Sequence, residues 1–324
     1  MHRFIKKIIL FSLCIFGVLT ALIFLQPLLY RLFPSDFDRH VVLEDYFKKL
    51  DDKGEVIIFG DSRSMFGVDS RIVKDQLKIA GQAYNLSSVS QDFYESSYYY
   101  SRVKKETKLV VQCISAPILF NNSTQSLPDS KAISMYLSGY RINKETKHLI
   151  PNYNKSFDHS SIANYYSSRS YFKTYVHNFL RPIFDDEVYK ESNRHSKFFP
   201  HYYTQDKLPN YSKYVFHNCQ GYDLKQPSTN RRSFIQKAAG YFNDRNIEYV
   251  LVLMPVNPDV CPNTKVFEKF ATDLRQIDNL MVIDLSSLLE SRYFYDRTHA
   301  NKMGAKVISD ELGKKLKMMK LKLQ

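Results

Sequence analysis

The sequence predicts an α/β fold in which a parallel, five-stranded sheet carries helices on both faces. The main observation is a series of short apolar runs, such as residues 56–59 and 249–254, that lack the polar alternation of half-exposed strands. Unbroken runs of this kind are typical of strands covered on both sides. Helical segments alternate with these runs along the chain, which is typical of a parallel sheet. Five strands fit the order 2-1-3-4-5, which places a ligand-binding crevice between strands one and three.

Residues 1–32 are predicted to form a membrane anchor. Arg3, Lys6 and Lys7 precede residues 8–25, a run of 18 residues without charge. A helix of that length spans about 27 Å, close to the thickness of the hydrocarbon core of a bilayer. The positive-inside rule then predicts a single pass, with the N-terminus in the cytoplasm and the remaining chain periplasmic or extracellular. A cleaved signal peptide is the alternative, although the run is long for one and no small-x-small site follows it.

Residues 33–54 are predicted to be a juxtamembrane spacer with a short helix, and residues 55–324 a single domain. The assignment of elements in this domain rests on apolar periodicity and on the turn residues between the runs. The predicted strands cover residues 56–59, 83–86, 109–114, 249–254 and 281–284. The predicted helices are one that begins near Ser64, four that cover residues 71–79, 91–105, 231–243 and 265–276, and one close to the end of the chain.

The middle of this domain, residues 121–230, has a different composition. It is dense in Tyr, Ser, Asn, His, Lys and Phe and has no long apolar period. Disordered segments are poor in aromatic residues, so we predict an ordered insertion, or cap, over the carboxyl ends of the strands. Two roles for its tyrosines stay open: they stack on sugar rings, or they pack a small helical subdomain.

The first strand ends at Gly60-Asp61-Ser62, and the glycine permits a sharp turn there. Ser62 is therefore expected at the carboxyl end of a parallel strand, where open α/β sheets bind their ligands. A serine hydroxyl needs a neighbouring base to become a good nucleophile. His299 is the candidate base, and Asp296, three residues earlier, is the candidate that orients the imidazole. The alternative role for Asp296 is to cap the last helix.

These motifs resemble those of a known family. The residues that carry the resemblance are Gly60-Asp61-Ser62-Arg63-Ser64, Asn85-Leu86, Asp296-Arg297-Thr298-His299-Ala300-Asn301 and Gly304. They are similar to motifs of the SGNH, or GDSL-type, hydrolases, and closest to the membrane-anchored branch of DltD-like and alginate-acetylation-like proteins. The resemblance covers the ends of the globular part and leaves out residues 121–230.

The resemblance implies a three-layer α/β/α, flavodoxin-like fold and a catalytic triad of Ser62, Asp296 and His299. It also implies an exported serine esterase or O-acyltransferase that forms an acyl-enzyme. The implied substrates are acyl esters, above all acetyl esters, of a cell-surface polysaccharide or another envelope polymer. A membrane-bound acyltransferase is a second implied partner, and no cofactor is expected.

An oxyanion needs hydrogen-bond donors, and the backbone N–H of Ser62 is the first candidate. A second donor is expected at Ser87-Ser88, although the family usually has glycine there. The family's Gly-x-Asn-Asp motif is absent after strand three, where the chain reads Ile114-Ser115-Ala116-Pro117. Ser115 is therefore the local candidate for the third donor, with Asn121 or Asn122 as candidates further off.

Three further residues are candidates for substrate binding. Arg63 resembles an arginine that often follows the nucleophile in the anchored branch. Two roles for it stay open: it pairs with Asp69, or it binds an anionic group. Asn121 and Asn122, further beyond strand three, are the other candidates.

The four cysteines are too few for a disulfide scaffold. Cys14 lies in the predicted membrane span, and Cys113 lies in an apolar strand, where it is expected to be a buried hydrophobic residue. Cys219 and Cys261 lie in loop-like stretches and form either a disulfide or two thiols. No spacing of Cys and His indicates a metal site.

Two classes of protein are excluded. An α/β-hydrolase elbow has the pattern Gly-x-Ser-x-Gly, whereas position 64 is Ser64 here. The net charge of +13 comes without a basic recognition motif, so no nucleic acid partner is predicted.

Two function classes then remain. One is the esterase or acyltransferase, which the intact set of Ser62, Asp296 and His299 favours. The other is a non-catalytic SGNH-fold protein that binds glycans or acts as a scaffold for a membrane acyltransferase. The absent third motif favours this second class.

Overall fold

The computed structural model describes residues 2–32, 39–40, 43, 47, 54–89, 91, 93–120, 135, 140, 144–149, 224 and 227–319. The chain divides into two compact units. The described part of the first unit is the N-terminal helix together with Arg39, His40, Leu43, Met135 and Tyr140. The second unit contains the sheet and all the helices around it.

The N-terminal helix α1 runs from His2 to Leu32. Its segment Arg3–Ala21 is long and apolar enough to cross a membrane, and no other helix among the described residues meets that test. The apolar side chains described along this segment are exposed, which is unfavourable in water and favourable in lipid. A helix of the length and composition predicted for the membrane span is therefore present. Most of the predicted spacer that follows it lies outside the described residues.

The second unit is built on a parallel, five-stranded sheet, and its strand order of 2-1-3-4-5 confirms the prediction. Phe59 pairs with Gln112, so β3 extends three residues beyond the last paired residue of β1. This extension places the end of β3 beside the turn that follows β1. The strands are β1 (Gly54–Phe59), β2 (Gln82–Asn85), β3 (Leu109–Ser115), β4 (Glu248–Met254) and β5 (Met281–Asp284).

The helices agree with the predicted ones except at their ends. The helix predicted near Ser64 begins at Ser62, because the side chain of Asp61 caps it. The next helix ends two residues early, where Lys78 takes a left-handed conformation with φ of 55°. The helices are α2 (Ser62–Gly67), α3 (Ser70–Leu77), α4 (Phe93–Tyr100), α5 (Lys144–Lys147), α6 (Thr229–Asn243), α7 (Lys265–Leu274) and α8 (Lys302–Met318). Short 3₁₀ helices cover Ala116–Phe120 and Ser291–Tyr293.

Both faces of the sheet are covered. On one face, apolar residues of the strands form one core with α3 and α8, through residues such as Val73, Ile308 and Leu312. On the other face, Phe59 stacks on Tyr99 of α4, and Tyr249 stacks on Phe242 of α6. The unbroken apolar strands are explained by this double coverage.

The predicted insertion at residues 121–230 lies mostly outside the described residues, and the proposed roles of its tyrosines lie there too. The exceptions include α5 and the first turn of α6, which begins earlier than predicted, at Thr229, because Ser228 caps it.

Candidate active site

The turn after β1 presents Ser62 at the edge of the sheet. The chain turns at Gly60, where an added Cβ would lie only 2.7 Å from the backbone oxygen of Cys113 on β3. Only glycine allows this approach of the turn to the neighbouring strand. Asp61 then accepts a hydrogen bond of 2.9 Å from the backbone N–H of Arg63, which fixes the start of α2. Ser62 is the first residue of that helix and is partly exposed.

The three predicted catalytic side chains form one continuous chain of hydrogen bonds. The Nε2 atom of His299 lies 2.8 Å from Oγ of Ser62, and its Nδ1 atom lies 2.7 Å from Oδ2 of Asp296. The His299 and Asp296 side chains are 19% and 21% exposed, so the site is open to solvent and to a ligand. The separation between Ser62 and His299 is within the range expected for a nucleophile and its general base.

The charge of Asp296 fixes the imidazole tautomer. Burial raises the pKa of Asp296, but the hydrogen bond and the charge of His299, together with the N–H groups of Thr298 and His299, outweigh burial and lower this pKa to about 2. An ionised carboxylate can only accept hydrogen bonds, so Nδ1 of His299 must donate to it. In the neutral imidazole, Nε2 then accepts the hydroxyl proton of Ser62.

The loop that carries Asp296 and His299 is held from several sides. Oδ1 of Asp296 accepts the N–H groups of Thr298 and His299, both at 2.7 Å, and the hydroxyl of Thr298 at 3.2 Å. A backbone bond of 2.8 Å from Tyr295 to His299 closes the loop. The edge of the His299 ring packs against the ring of Phe66, with 5.3 Å between centroids. These contacts hold the imidazole in place between Ser62 and Asp296.

The following helix is capped by Asn301 and not by Asp296. The side chain of Asn301 accepts a hydrogen bond of 2.9 Å from the N–H of Gly304 and donates one of 2.9 Å to the backbone oxygen of Arg292. The alternative role of Asp296 as the helix cap is therefore wrong. This leaves its carboxylate for His299.

The predicted donors at Ser87 and Ser88 need a correction. The N–H of Ser87 donates to Oδ1 of Asn85 at 3.1 Å, and the N–H of Ser88 donates to the backbone oxygen of Gly60 at 3.0 Å. Both residues are fully buried. Their N–H groups hold the turn together, so neither is left for a ligand.

The other predicted donors lie where the sequence places them. The N–H of Ser62 has no acceptor within the described part of the chain, and it is therefore available to an oxyanion. Ser115 ends β3, and its Oγ accepts a hydrogen bond from Nη1 of Arg63. Because that oxygen acts as an acceptor, the Ser115 hydroxyl keeps its own proton to donate.

The proposed pair between Arg63 and Asp69 is wrong. Asp69 is 3% exposed and binds Arg71, with 2.8 Å between the closest atoms, and it also caps α3. Arg63 instead points to Ser115. Asn121 and Asn122, the other predicted substrate-binding residues, lie outside the described residues.

Two buried amides support the site from behind, and sequence reasoning gave neither of them this role. The buried amide of Asn85 donates to the backbone oxygens of Ser64 and Val68, at 2.9 and 2.8 Å, and so ties α2 to the end of β2. The buried amide of Asn257 donates to the backbone oxygen of Asp296 at 3.4 Å. Asn85 ends β2 and belongs to the motif resemblance, whereas Asn257 lies three residues beyond β4, where no motif marks it.

The cysteines agree with expectation. Cys113 is buried and free, and burial raises the pKa of its thiol, with the charge of Asp61 adding to the effect. Cys261 is buried and disulfide-bonded, which removes the alternative of a free thiol there, and Cys219 lies outside the described residues.

A search of protein-family models and a search of curated proteins both find no match to this chain.

Proposed function

We propose that this chain is a membrane-anchored serine esterase or O-acyltransferase of the SGNH type. The observation that carries the proposal is the hydrogen-bonded chain from Ser62 through His299 to Asp296, with 2.8 and 2.7 Å between successive atoms. Side chains far apart in sequence meet in this order only if the fold holds them there. Nucleophile, base and orienting carboxylate together are the machinery of acyl transfer through a covalent intermediate.

The reaction follows from the tautomer. Oγ of Ser62 attacks the carbonyl carbon of an acyl ester while Nε2 of His299 takes its proton, and the carbonyl π electrons move to oxygen. When the tetrahedral intermediate collapses, the ester C–O bond breaks and His299 returns the proton to the departing alcohol oxygen. Water or a sugar hydroxyl then attacks the acyl-Ser62 ester by the same route, which gives hydrolysis or transfer.

The substrate class comes from the motif resemblance: acyl esters, above all acetyl esters, of a cell-surface polysaccharide or another envelope polymer. Export supports this class, because such polymers lie outside the cytoplasm. The basic residues Arg3, Lys6 and Lys7 before the apolar part of α1 favour a cytoplasmic N-terminus and an exported domain. The disulfide at Cys261 also fits an oxidising compartment.

The second candidate is a non-catalytic SGNH-fold protein that binds glycans or supports a membrane acyltransferase. It is favoured by the absent third motif and by the occupied N–H groups of Ser87 and Ser88. It does not account for the alignment of Ser62 with His299, which glycan binding does not need. The enzyme is therefore the better proposal.

Labelling by a fluorophosphonate probe tests the proposal. The full chain in detergent should react covalently at Ser62, because only an activated serine attacks such a probe at a useful rate. Ser62→Ala should abolish the label, and Ser64→Ala is the matched control, since the hydroxyl of Ser64 is buried and forms its hydrogen bonds to Asp61 and Ser87. An unlabelled but folded parent chain would favour the non-catalytic protein.

A further inference from the structure

The proposed reaction places a negative charge on the carbonyl oxygen of the substrate, and the site needs donors for that charge. Ser62 offers its backbone N–H. The N–H groups of Ser87 and Ser88 are already used by Asn85 and Gly60. The Ser62 N–H and the Ser115 hydroxyl are then the neutral donors that remain of the three expected, and removal of one donor from a complete oxyanion hole costs about 10² to 10³ in kcat. A further donor therefore has to come from elsewhere in the site.

The guanidinium of Arg63 stands in the right part of the structure. It belongs to the residue after the nucleophile, and Nη1 donates to Oγ of Ser115 at the carboxyl end of β3. The pairing of Phe59 with Gln112 brings that end of β3 alongside the turn that carries Ser62. The contact with Ser115 therefore places the Arg63 guanidinium at the carboxyl end of β3, beside that turn.

Within the described part of the chain, no carboxylate lies within ion-pair distance of the Arg63 guanidinium, and Ser115 is the acceptor that it has. Asp61, the nearest acid in sequence, receives the backbone N–H of Arg63, and Asp69 is bound to Arg71. Since a guanidinium carries five N–H donors, four remain for a ligand. Arg63 is partly buried. Burial of a cation without a counter-charge raises the free energy of the protein, and an anion that forms beside the cation lowers it again.

We propose that Arg63, anchored by Ser115, donates to the oxyanion of the tetrahedral intermediate. This inference rests on the proposed function and adds a catalytic role for a side chain that the sequence suggested for a pair with Asp69 or for binding an anionic group. When the Oγ–C bond forms and the π pair moves to the carbonyl oxygen, the N–H of Ser62 and an N–H of Arg63 share that negative charge. The charge is absent in the ground state, so the interaction accelerates the reaction more than it tightens substrate binding.

Steady-state kinetics on the neutral ester p-nitrophenyl acetate test this role. Arg63→Gln should lower kcat by about 10² to 10³ and change KM by less than about threefold. Arg63→Lys should lose less, because it keeps the charge without the planar fork. Ser115→Ala should also lose less than Arg63→Gln, and the double variant should lose less than the product of the two single effects. Arg232→Gln is the matched control, since Arg232 is exposed on α6 and its side chain has no described partner.

Chemical rescue separates a catalytic from a structural role. Guanidinium ion, added below denaturing concentrations, should restore part of the kcat of Arg63→Ala, and it should leave Ser62→Ala inactive. A misfolded variant would show no such rescue and would melt at a lower temperature than the parent.

Three outcomes would overturn the inference. The first is an Arg63→Gln variant that keeps kcat on the neutral ester. The second is a loss seen only in KM, and only for a charged ester such as the mono-p-nitrophenyl ester of succinate, because Arg63 would then bind an anionic substrate. In both cases turnover would still depend on Ser62, and the proposed function would stand. The third is a parent chain without turnover or fluorophosphonate label, which would overturn the proposed function as well.

Discussion

The candidate site has two sides, and they differ in how many hydrogen bonds support each of them. On the proton-transfer side, Ser62, His299 and Asp296 are joined without a gap, and Oδ1 of Asp296 accepts three donors while Oδ2 holds the imidazole. On the oxyanion side, two of the expected donors, Ser87 and Ser88, are used within the turn. The first side resists small losses because it is redundant. The second depends on few groups, so each of them should matter more.

The largest effect should come from breaking the chain on the proton-transfer side. Ser62→Ala or His299→Ala should lower ester turnover by about 10⁴ to 10⁶, and the double variant should lose little more than either. The two side chains act as one unit, because the hydroxyl is useful only with its base. Rates of p-nitrophenyl acetate hydrolysis by the purified full-length chain measure this. Multiplicative losses in the double variant would mean that the two residues act independently.

The next effect should come from Asp296→Asn, with a loss of about 10³ to 10⁴ in kcat. An amide at this position can donate to Nδ1, which places the imidazole proton on Nε2 and removes the acceptor for Ser62. The fluorophosphonate labelling rate should fall in parallel. Asp273→Asn, on the exposed face of α7, is the matched control. Unchanged labelling by Asp296→Asn would show that the carboxylate does not orient His299.

Asn85 supports the turn that both sides share. Asn85→Ala removes the amide that donates to the backbone oxygens of Ser64 and Val68, and of the two only the Ser64 oxygen keeps another donor within the described residues, the N–H of Val68. The variant should therefore lower the free energy of unfolding by about 2 to 3 kcal/mol. Thermal unfolding in detergent measures the loss. Asn243→Ala, at the exposed end of α6, is the control and should change stability by less than about 0.5 kcal/mol. Equal melting of both variants would contradict the role of Asn85.

The depressed pKa of Asp296 predicts how stability depends on pH. Its value is about 2 in the folded protein and about 3.9 in an unfolded chain. A depressed pKa stabilises the fold above the unfolded value, and this stabilisation of about 2 kcal/mol is lost as the pH falls from about 4 to about 2. Asp296→Asn should lack this part of the acid loss when both proteins are unfolded by denaturant at each pH. Parallel curves would show that Asp296 is not stabilised in the folded state.

The sequence predicts the proton-transfer side better than the oxyanion side, for a physical reason. Ser62 follows a strand of unbroken apolar residues, and the short Asp296-x-x-His299 spacing places the carboxylate beside the imidazole. Patterns of neighbouring residues are therefore enough to predict these three side chains. The donors of the oxyanion side depend on partners across strands. The N–H of Ser88, for example, donates to the backbone oxygen of Gly60, and no local sequence pattern reveals this acceptor.

The same limit explains the other differences. Arg63 donates a hydrogen bond to Ser115, which lies 52 residues away in sequence, and does not pair with Asp69, which is closer in sequence. Asp69 is nearer in sequence but is taken by Arg71 and by the start of α3. Strand order was predictable because alternating strands and helices allow few topologies. Helix ends were less predictable, since single caps such as Asp61 and Ser228 decide them.

The smallest effect should come from Thr298→Val, and it tests redundancy directly. The valine keeps the shape of the side chain and the backbone N–H, which binds Asp296 at 2.7 Å, and removes only the hydroxyl at 3.2 Å. One such bond is worth about 0.5 to 1.5 kcal/mol, so kcat should fall about two- to tenfold. Thr298→Ser keeps the hydroxyl and should stay close to the parent. A loss above about 100-fold in the valine variant would show that this carboxylate depends on one hydroxyl. The two sides of the site would then be equally fragile, and the contrast between them would fail.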